Sequence, residues 1–412
     1  MTASTATKLL EIQIALDDSR RKLDALLQVT QAINNNAKRR DLYQLFEHLL
    51  ATVAGVQSFA LFNCETKWQF SLYKGLSESY IKQIEPSKHL FSYKQIQVID
   101  KENDTILSAF DLVVPVLHKH KPLGFLLVVD ENMEAGDNTC LQHIEFIQTL
   151  TNIVIVAIEN KKLAKEQILL EGRRRELELA AEMQNLLFPE HLPVDAVMDI
   201  AAYYQPHDQV GGDYYDFIRI NEELVGFCMA DVSGKGIAAA ILMSNFQANI
   251  RALLENSRSL TDLVIKLNKK VMNAAKGEKF ITLFVALYNI HTRELQYINA
   301  GHSLPVLIDN EEAHLLKSGC IGLGIMDKIP RIAEGRVIIN PNARIMCYTD
   351  GVVEQENEDK KAFGLDNLIR LLIENNELPS TKMNDILVKK LHEYREESHI
   401  GDDIALLNCK FY

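Results

Sequence analysis

Met229-Ala230-Asp231-Val232-Ser233-Gly234-Lys235-Gly236 is the stretch from which the fold of this chain can be read. Upstream, Leu224 to Ala230 has the apolar density of a buried strand. Downstream, Ile237-Ala238-Ala239-Ala240-Ile241-Leu242-Met243 reads as the start of a helix. Asp231 therefore sits at a strand tip, on a turn whose glycines permit unusual backbone angles and close approach of a ligand.

Working outward, the nearest related stretch is Val210-Gly211-Gly212-Asp213-Tyr214-Tyr215-Asp216. Tyr214 to Ile220 and Leu224 to Ala230 form the two arms of a hairpin turning at Asn221-Glu222-Glu223. Asp213 and Asp231 are equally far from Glu222, so the hairpin sets them opposite each other, with Cβ atoms about 4.5–5.5 Å apart if directly paired. Two like charges so placed destabilise a sheet unless a cation lies between them. Oxygen ligands without His or Cys point to a hard divalent ion such as Mg²⁺ or Mn²⁺. Read alone, the pair is equally consistent with two solvated turn carboxylates.

Two further strand ends repeat the arrangement. Met346-Cys347-Tyr348-Thr349-Asp350-Gly351 closes an apolar run with an acid, and Gly401-Asp402-Asp403-Ile404-Ala405-Leu406-Leu407 opens one. If these strands are antiparallel neighbours, Asp213, Asp231, Asp350 and Asp402 become available together, with Asp403 competing for the place of Asp402. Such a cluster suits two divalent ions sharing a bridging carboxylate, which ready a water for attack near neutral pH. Asp231, on the tightest loop, is the best bridge, and the Val232 carbonyl is a further oxygen. Ser233 has no His near it in sequence and reads as a helix cap. A phosphate-cradling P-loop fails, because Met229 and Gly236 stand where that motif needs Gly and Ser or Thr. Lys235 has two readings, an attractor of an anionic substrate or a solvated lysine.

The 412 residues suffice for two or three domains, and 24% charged with 47% apolar residues is the composition of a soluble globular protein. A net charge of −12 argues against nucleic-acid binding and against docking on an anionic membrane. The six cysteines, Cys64, Cys140, Cys228, Cys320, Cys347 and Cys409, show no metal-type spacing and read as reduced core residues of a cytoplasmic protein. No signal pattern opens the chain, and Gly124–Val129 and Ile153–Ile158, taken as its most apolar runs, are too short to span a bilayer.

Leu9 to Ile33 is expected to be helical, within an N-terminal segment 1–35. Leu9, Ile12, Leu16, Leu23, Leu26 and Ile33 form a heptad-like stripe that suits either packing on its own domain or a dimer seam. A helix over Asp41–Val56 precedes strands at Ser58–Phe62, Trp68–Tyr73, Asp111–Leu117 and Gly124–Val129, then a helix from Asn138 to Ile158. From Ile153 to Leu187 the helical pattern continues, with Leu163, Leu170 and Leu177 seven residues apart among charges. Segment 153–189 thus reads as a coupler able to dimerise, weakened by about 1 kcal/mol at Gly172 and ending near Phe188-Pro189. Beyond Met198, strands and helix pairs alternate in blocks, which gives an α+β domain of mainly antiparallel sheets over 190–412.

The order over residues 24–160 resembles a GAF sensory domain, which implies an unknown small-molecule or protein input there. Gly211-Gly212-Asp213-Tyr214-Tyr215-Asp216, Ala230 to Gly236, Asn299-Ala300-Gly301-His302, Tyr348 to Glu354 and Asp402-Asp403-Ile404-Ala405 resemble the motif series of the SpoIIE/RsbU branch of the PPM-type protein phosphatases, in its order, over about residues 180–412. The resemblance implies an αββα sandwich and a Mn²⁺- or Mg²⁺-dependent serine/threonine phosphatase. Carried over, Asp231 bridges two ions, Asp213 and the Val232 carbonyl complete one, and Asp350 and Asp402 the other. His302 has no definite chemical role and pins a turn. The implied substrate is a phosphorylated regulatory protein of the anti-sigma-factor antagonist type. Control is implied through Ala181–Pro189 in a homodimer joined by helical segments. The rival reading is a scaffold that keeps the fold and binds the same partner without hydrolysis.

Overall fold

The computed structural model describes residues 2–412 apart from 65–66, 102–103, 131–138, 397 and 399, with backbone alone at 2–7 and 139–140. The expected helix start at Asn138 and the Cys140 side chain lie outside the described residues. The chain divides into Met1–Glu171 and Gly172–Tyr412.

The first unit runs α1 (Thr2–Asn34), α2 (Arg39–Val53), β1 (Ser58–Cys64), β2 (Trp68–Lys74), α3 (Glu78–Ile81), α4 (Pro86–His89), β3 (Gln97–Val98), β4 (Leu112–His118), β5 (Lys121–Val129), α5 (Thr139–Gln142) and α6 (Ile144–Asn185), the last crossing the boundary between units. Its antiparallel sheet has the order β2-β1-β5-β4-β3. Leu126 and Val128 point into a core with Phe46, Leu50, Leu150 and Val154 of the helices. Phe125 and Leu127 point into a second core with Ile81, Leu90 and Phe110. Both faces are covered, so β5 reads as a continuous apolar run rather than an alternating one. Ala25 and Val29 of α1 are buried in the first core, while Leu9, Ile12, Leu16 and Leu23 are exposed. Packing on its own domain therefore describes the second half of α1. Leu163 and Leu170 of α6 are also exposed, and the helix continues through Gly172.

The second unit runs β6 (Met198–Gln205), β7 (Tyr214–Arg219), β8 (Leu224–Val232), α7 (Ile237–Leu254), α8 (Leu260–Ala275), β9 (Ile281–Asn289), β10 (Glu294–Ala300), β11 (Val306–Asp309), β12 (Glu312–Leu315), β13 (Gly319–Cys320), β14 (Gly335–Ile338), β15 (Arg344–Tyr348), α9 (Asp350–Val353), α10 (Leu365–Glu374), α11 (Ser380–Arg395) and β16 (Ile404–Phe411). One sheet has the order β13-β10-β9-β8-β7, with β14 on β10, and the other β12-β11-β15-β16-β6. Met229, Phe284 and Ala286 of the first sheet meet Ile345, Ala405 and Leu407 of the second in a core between them. Cys228, Ala230 and Val285, on the opposite face, pack on Met243, Phe246 and Leu267 of α7 and α8. Met346 and Leu406 pack on Leu368, Leu372 and Leu387 of α10 and α11. The result is the four-layer αββα sandwich.

Among the described residues, the 18-residue helix α7 is long and apolar enough to cross a membrane by length and composition. Its Ala239, Met243, Phe246 and Ile250 are buried against the sheet, which accounts for that apolarity. One reading of the sequence, Ser233 as a helix cap, needs correction: its hydroxyl accepts the Phe280 N–H at 2.9 Å, and Gly236 stands at the helix N-cap.

Asp216 of β7 is fully buried and receives Arg251 Nε and Nη2 of α7 at 2.7 and 3.0 Å, together with the Tyr214 hydroxyl. Removing the arginine leaves a buried charge without its counter-ion. We expect Arg251→Met to lower stability by about 3 kcal/mol, measured as a shifted urea midpoint at unchanged slope; a shift below about 0.5 kcal/mol would show that Asp216 needs no ion pair.

Candidate metal centre

β7 and β8 are antiparallel, with Tyr214 opposite Ala230 and Arg219 opposite Val225. One step beyond the last pair, this register brings Asp213 level with Asp231. On the other sheet Tyr348 of β15 stands opposite Leu406 of β16. Asp350 follows at the first residue of α9, and Asp402 precedes β16 from the same sheet edge. Each sheet thus contributes two strand-end acids.

The acids feel one another. Asp213 is 2% exposed, and burial, then Asp231 and Asp403, raise its carboxyl well above the usual range. Asp231 is pushed up to about 7 by burial and by Asp350, Asp402 and Asp403. Burial, then Asp402 and Glu354, raise Asp350, with Lys235 pulling the other way. Asp402 is half exposed and pairs with Lys235 Nζ at 3.0 Å. Asp403 is committed to the backbone: its two oxygens accept the His207 and Gly212 N–H groups, each at 2.7 Å.

Glycine permits the close approaches. A Cβ on Gly212 would lie 2.9 Å from the Val232 carbonyl oxygen, and one on Gly351 would lie 2.1 Å from the Asp403 carbonyl oxygen. Among the described residues, no three His, Cys, Asp or Glu side chains are gathered to hold an ion as they stand. Mutual repulsion opposes such gathering, and Asp402 is turned to Lys235. The donor set nevertheless fits a hard divalent cation. It consists of oxygens, burial and neighbouring acids raise Asp213, Asp231 and Asp350, and the buried Asp213 Oδ2 has no hydrogen-bond partner.

Around the acids lie contacts that sequence reasoning missed. Gln184, in the last turn of α6, donates Nε2 to the Gly211 carbonyl at 2.7 Å and accepts the Gly211 N–H at 3.2 Å. Phe188 stacks on Tyr215 at 4.8 Å. The turn at His302 is pinned by the Asn299 side chain, whose Oδ1 accepts the His302 backbone N–H at 2.8 Å, while His302 Nδ1 lies 2.8 Å from the hydroxyl of Thr282, the β9 neighbour of Asp231. Burial pushes the His302 ring down to about 4, so it is neutral at pH 7. Gln184 did leave a signal. It occupies the position seven residues after Leu177 in the Leu163-Leu170-Leu177 series, a polar residue where the stripe calls for an apolar one.

Residues 221–412 match the family model described as Stage II sporulation protein E (SpoIIE), a stretch that holds Asp231, Asp350 and Asp402 but begins after Asp213. The chain is 26% identical over 323 residues to Protein IcfG of Synechocystis sp., covering 71% of this chain and 50% of that protein. It is 35% identical over 129 residues to Phosphoserine phosphatase RsbU of Bacillus subtilis, covering 31% of this chain and 38% of that protein. The chain thus spans half or less of these curated relatives. Among solved structures, the SiaA-PP2C domain of Pseudomonas aeruginosa matches with a TM-score of 0.54 at 21% identity, over 59% of this chain and 99% of that one, a likeness of fold.

The contrast between the adjacent acids is testable on stability alone. Asp403→Asn replaces a carboxylate taking two backbone N–H groups and is expected to cost about 1.5–3 kcal/mol. Asp402→Asn removes an exposed pair and should cost under about 1 kcal/mol. Thermal and urea unfolding of both variants in EDTA measures this, and the reverse ranking would exchange their roles.

Proposed function

We propose that residues 221–412, which match the SpoIIE family model, form a PPM-type phosphatase domain together with the segment carrying Asp213, and that the protein is a metal-dependent serine/threonine phosphoprotein phosphatase. The observation that carries this reading is the convergence of strand-end acids from two sheets, with Asp213, Asp231 and Asp350 raised by burial and by neighbouring acids, around a buried carboxylate oxygen without a partner. Asp231 would bridge two ions, Asp213 and the Val232 carbonyl would serve one, and Asp350 and Asp402 the other. Asp403, with both oxygens on backbone N–H groups, fits a role in holding the Gly212 loop. When bound, Mn²⁺ or Mg²⁺ supplies Lewis-acid activation and charge neutralisation for displacement at phosphorus. The chain's own part is to hold its carboxylates in register at the strand ends, with glycine turns leaving room for a phosphorylated side chain.

The substrate we infer is a small phosphorylated regulatory protein of the anti-sigma-factor antagonist type, met in the cytoplasm. The first unit, with its five-stranded antiparallel sheet between helices, would act as a GAF-like sensor for a small-molecule or protein input. The coupler would join two copies of the chain. The exposed Leu163, Ile168, Leu170 and Leu179 on α6 favour such pairing. Regulation through the coupler is supported by Gln184, which ties the last turn of α6 to the peptide two residues before Asp213.

Two measurements test this. Phosphate release from a phosphoserine protein or peptide should require Mn²⁺ or Mg²⁺ and fall by at least about 100-fold in Asp231→Asn; equal rates in variant and parent would favour a non-catalytic scaffold. Gln184→Ala should raise the Mn²⁺ concentration for half-maximal activity about 10-fold, while Glu178→Ala, on an exposed turn of the same helix, leaves it unchanged. Equal behaviour of the two variants would remove Gln184 from the coupling.

A further inference from the structure

Lys235 is the one residue between Gly234 and Gly236, both of which have positive φ, +81° and +75°. Those two glycines set the course of the turn, and the lysine reaches across it to a loop 166 residues further along the chain. There Nζ donates to the Gly401 carbonyl and pairs with Asp402 Oδ2 at 3.0 Å. The same ammonium lowers the proton affinity of Asp350. It therefore stands by the two acids assigned above to one ion. The nearby Lys279 serves as a contrast. Its Nζ donates to the Ser233 carbonyl at 2.6 Å and forms no ion pair with these acids among the described residues.

We propose that Lys235 is a tethered counter-ion for the Asp350 and Asp402 half of the centre, and that a divalent cation binding there must displace it from Asp402. The inference rests on the metal-centre reading above. Its physical basis is competition. With Lys235 in place, Asp402 is neutralised by the chain itself, so part of the attraction for an incoming ion is offset. Among the described residues, Asp213 forms no ion pair with a lysine or arginine, and its Oδ2 has no hydrogen-bond partner. Two ions should then bind with unequal affinity, the weaker at Asp350 and Asp402, and the lysine should be released as that ion enters. The turn supports exchange rather than permanent pairing, since both Lys235 and Asp402 side chains are 42% exposed and solvent can take up the released ammonium.

The test uses the full chain and Mn²⁺ alone, without substrate. Calorimetric titration at low salt should resolve a tighter and a weaker ion in the parent. Lys235→Ala should tighten the weaker ion about 3- to 5-fold and leave the tighter one unchanged. Lys279→Ala should leave both unchanged. Amine acetylation read by mass spectrometry gives a second measure on the unmutated chain, with Lys235 labelled several-fold faster when Mn²⁺ is present. Equal tightening by Lys235→Ala and Lys279→Ala, or no tightening by either, would overturn the lysine's role, as would unchanged labelling of Lys235. A parent chain that takes up no Mn²⁺ would instead overturn the metal-centre reading and the proposal with it.

Discussion

Carboxylates gathered at the open ends of two packed sheets repel one another, and the architecture of the C-terminal unit works against that repulsion. Asp213 and Asp231 belong to one sheet, and Asp350 and Asp402 flank strands of the other. Apolar packing between the sheets, through Met229, Phe284, Ile345 and Leu407, holds their ends together whether or not the charges are neutralised. Burial of such side chains contributes about 1.5–3 kcal/mol each, so a handful of them offsets the repulsion of a few partly solvated acids. Stability is thus supplied a layer away from the acids.

The same logic applies to the end of the long helix. The last turn of α6 brings Gln184 to the Gly211 peptide, and Phe188, just past its end, lies against the rings of Tyr204 and Tyr215, so one short segment touches both sides of the loop that leads to Asp213. An apolar residue at 184 could pack, but it could neither donate to a carbonyl nor accept from an amide. The exchange of two hydrogen bonds makes the contact directional in a way that packing is not.

Much of this was legible in the sequence, for identifiable reasons. The hairpin could be placed because its turn residues and apolar arms fix the register around Glu222, and the paired strands follow that register. The helix over Asp41–Val56 could be placed because its apolar residues, Leu42, Phe46, Leu49 and Leu50 among them, recur at helical spacing. The short strands Glu312–Leu315 and Gly319–Cys320 could not, since two to four residues carry no usable periodicity. Nor could the division of labour between Asp402 and Asp403. Both are acids before the same strand, and they differ only in which groups arrive from elsewhere: Lys235 for one, the His207 and Gly212 amides for the other. Ser233 was misread for a related reason, because its partner Phe280 is distant in sequence and no local pattern announces it.

Asp403 immediately precedes β16 of one sheet, yet the amides it holds lie on the segment that carries the chain from β6 to β7 in the other. It is a rivet through the sandwich at the rim of the acids. Sliding of one sheet over the other would change the spacing between the Asp213–Asp231 pair and the Asp350–Asp402 pair, and this rivet restrains that slide where it matters most. Any force delivered to the Gly211–Gly212 peptides is therefore felt at once as strain across the seam between the two halves.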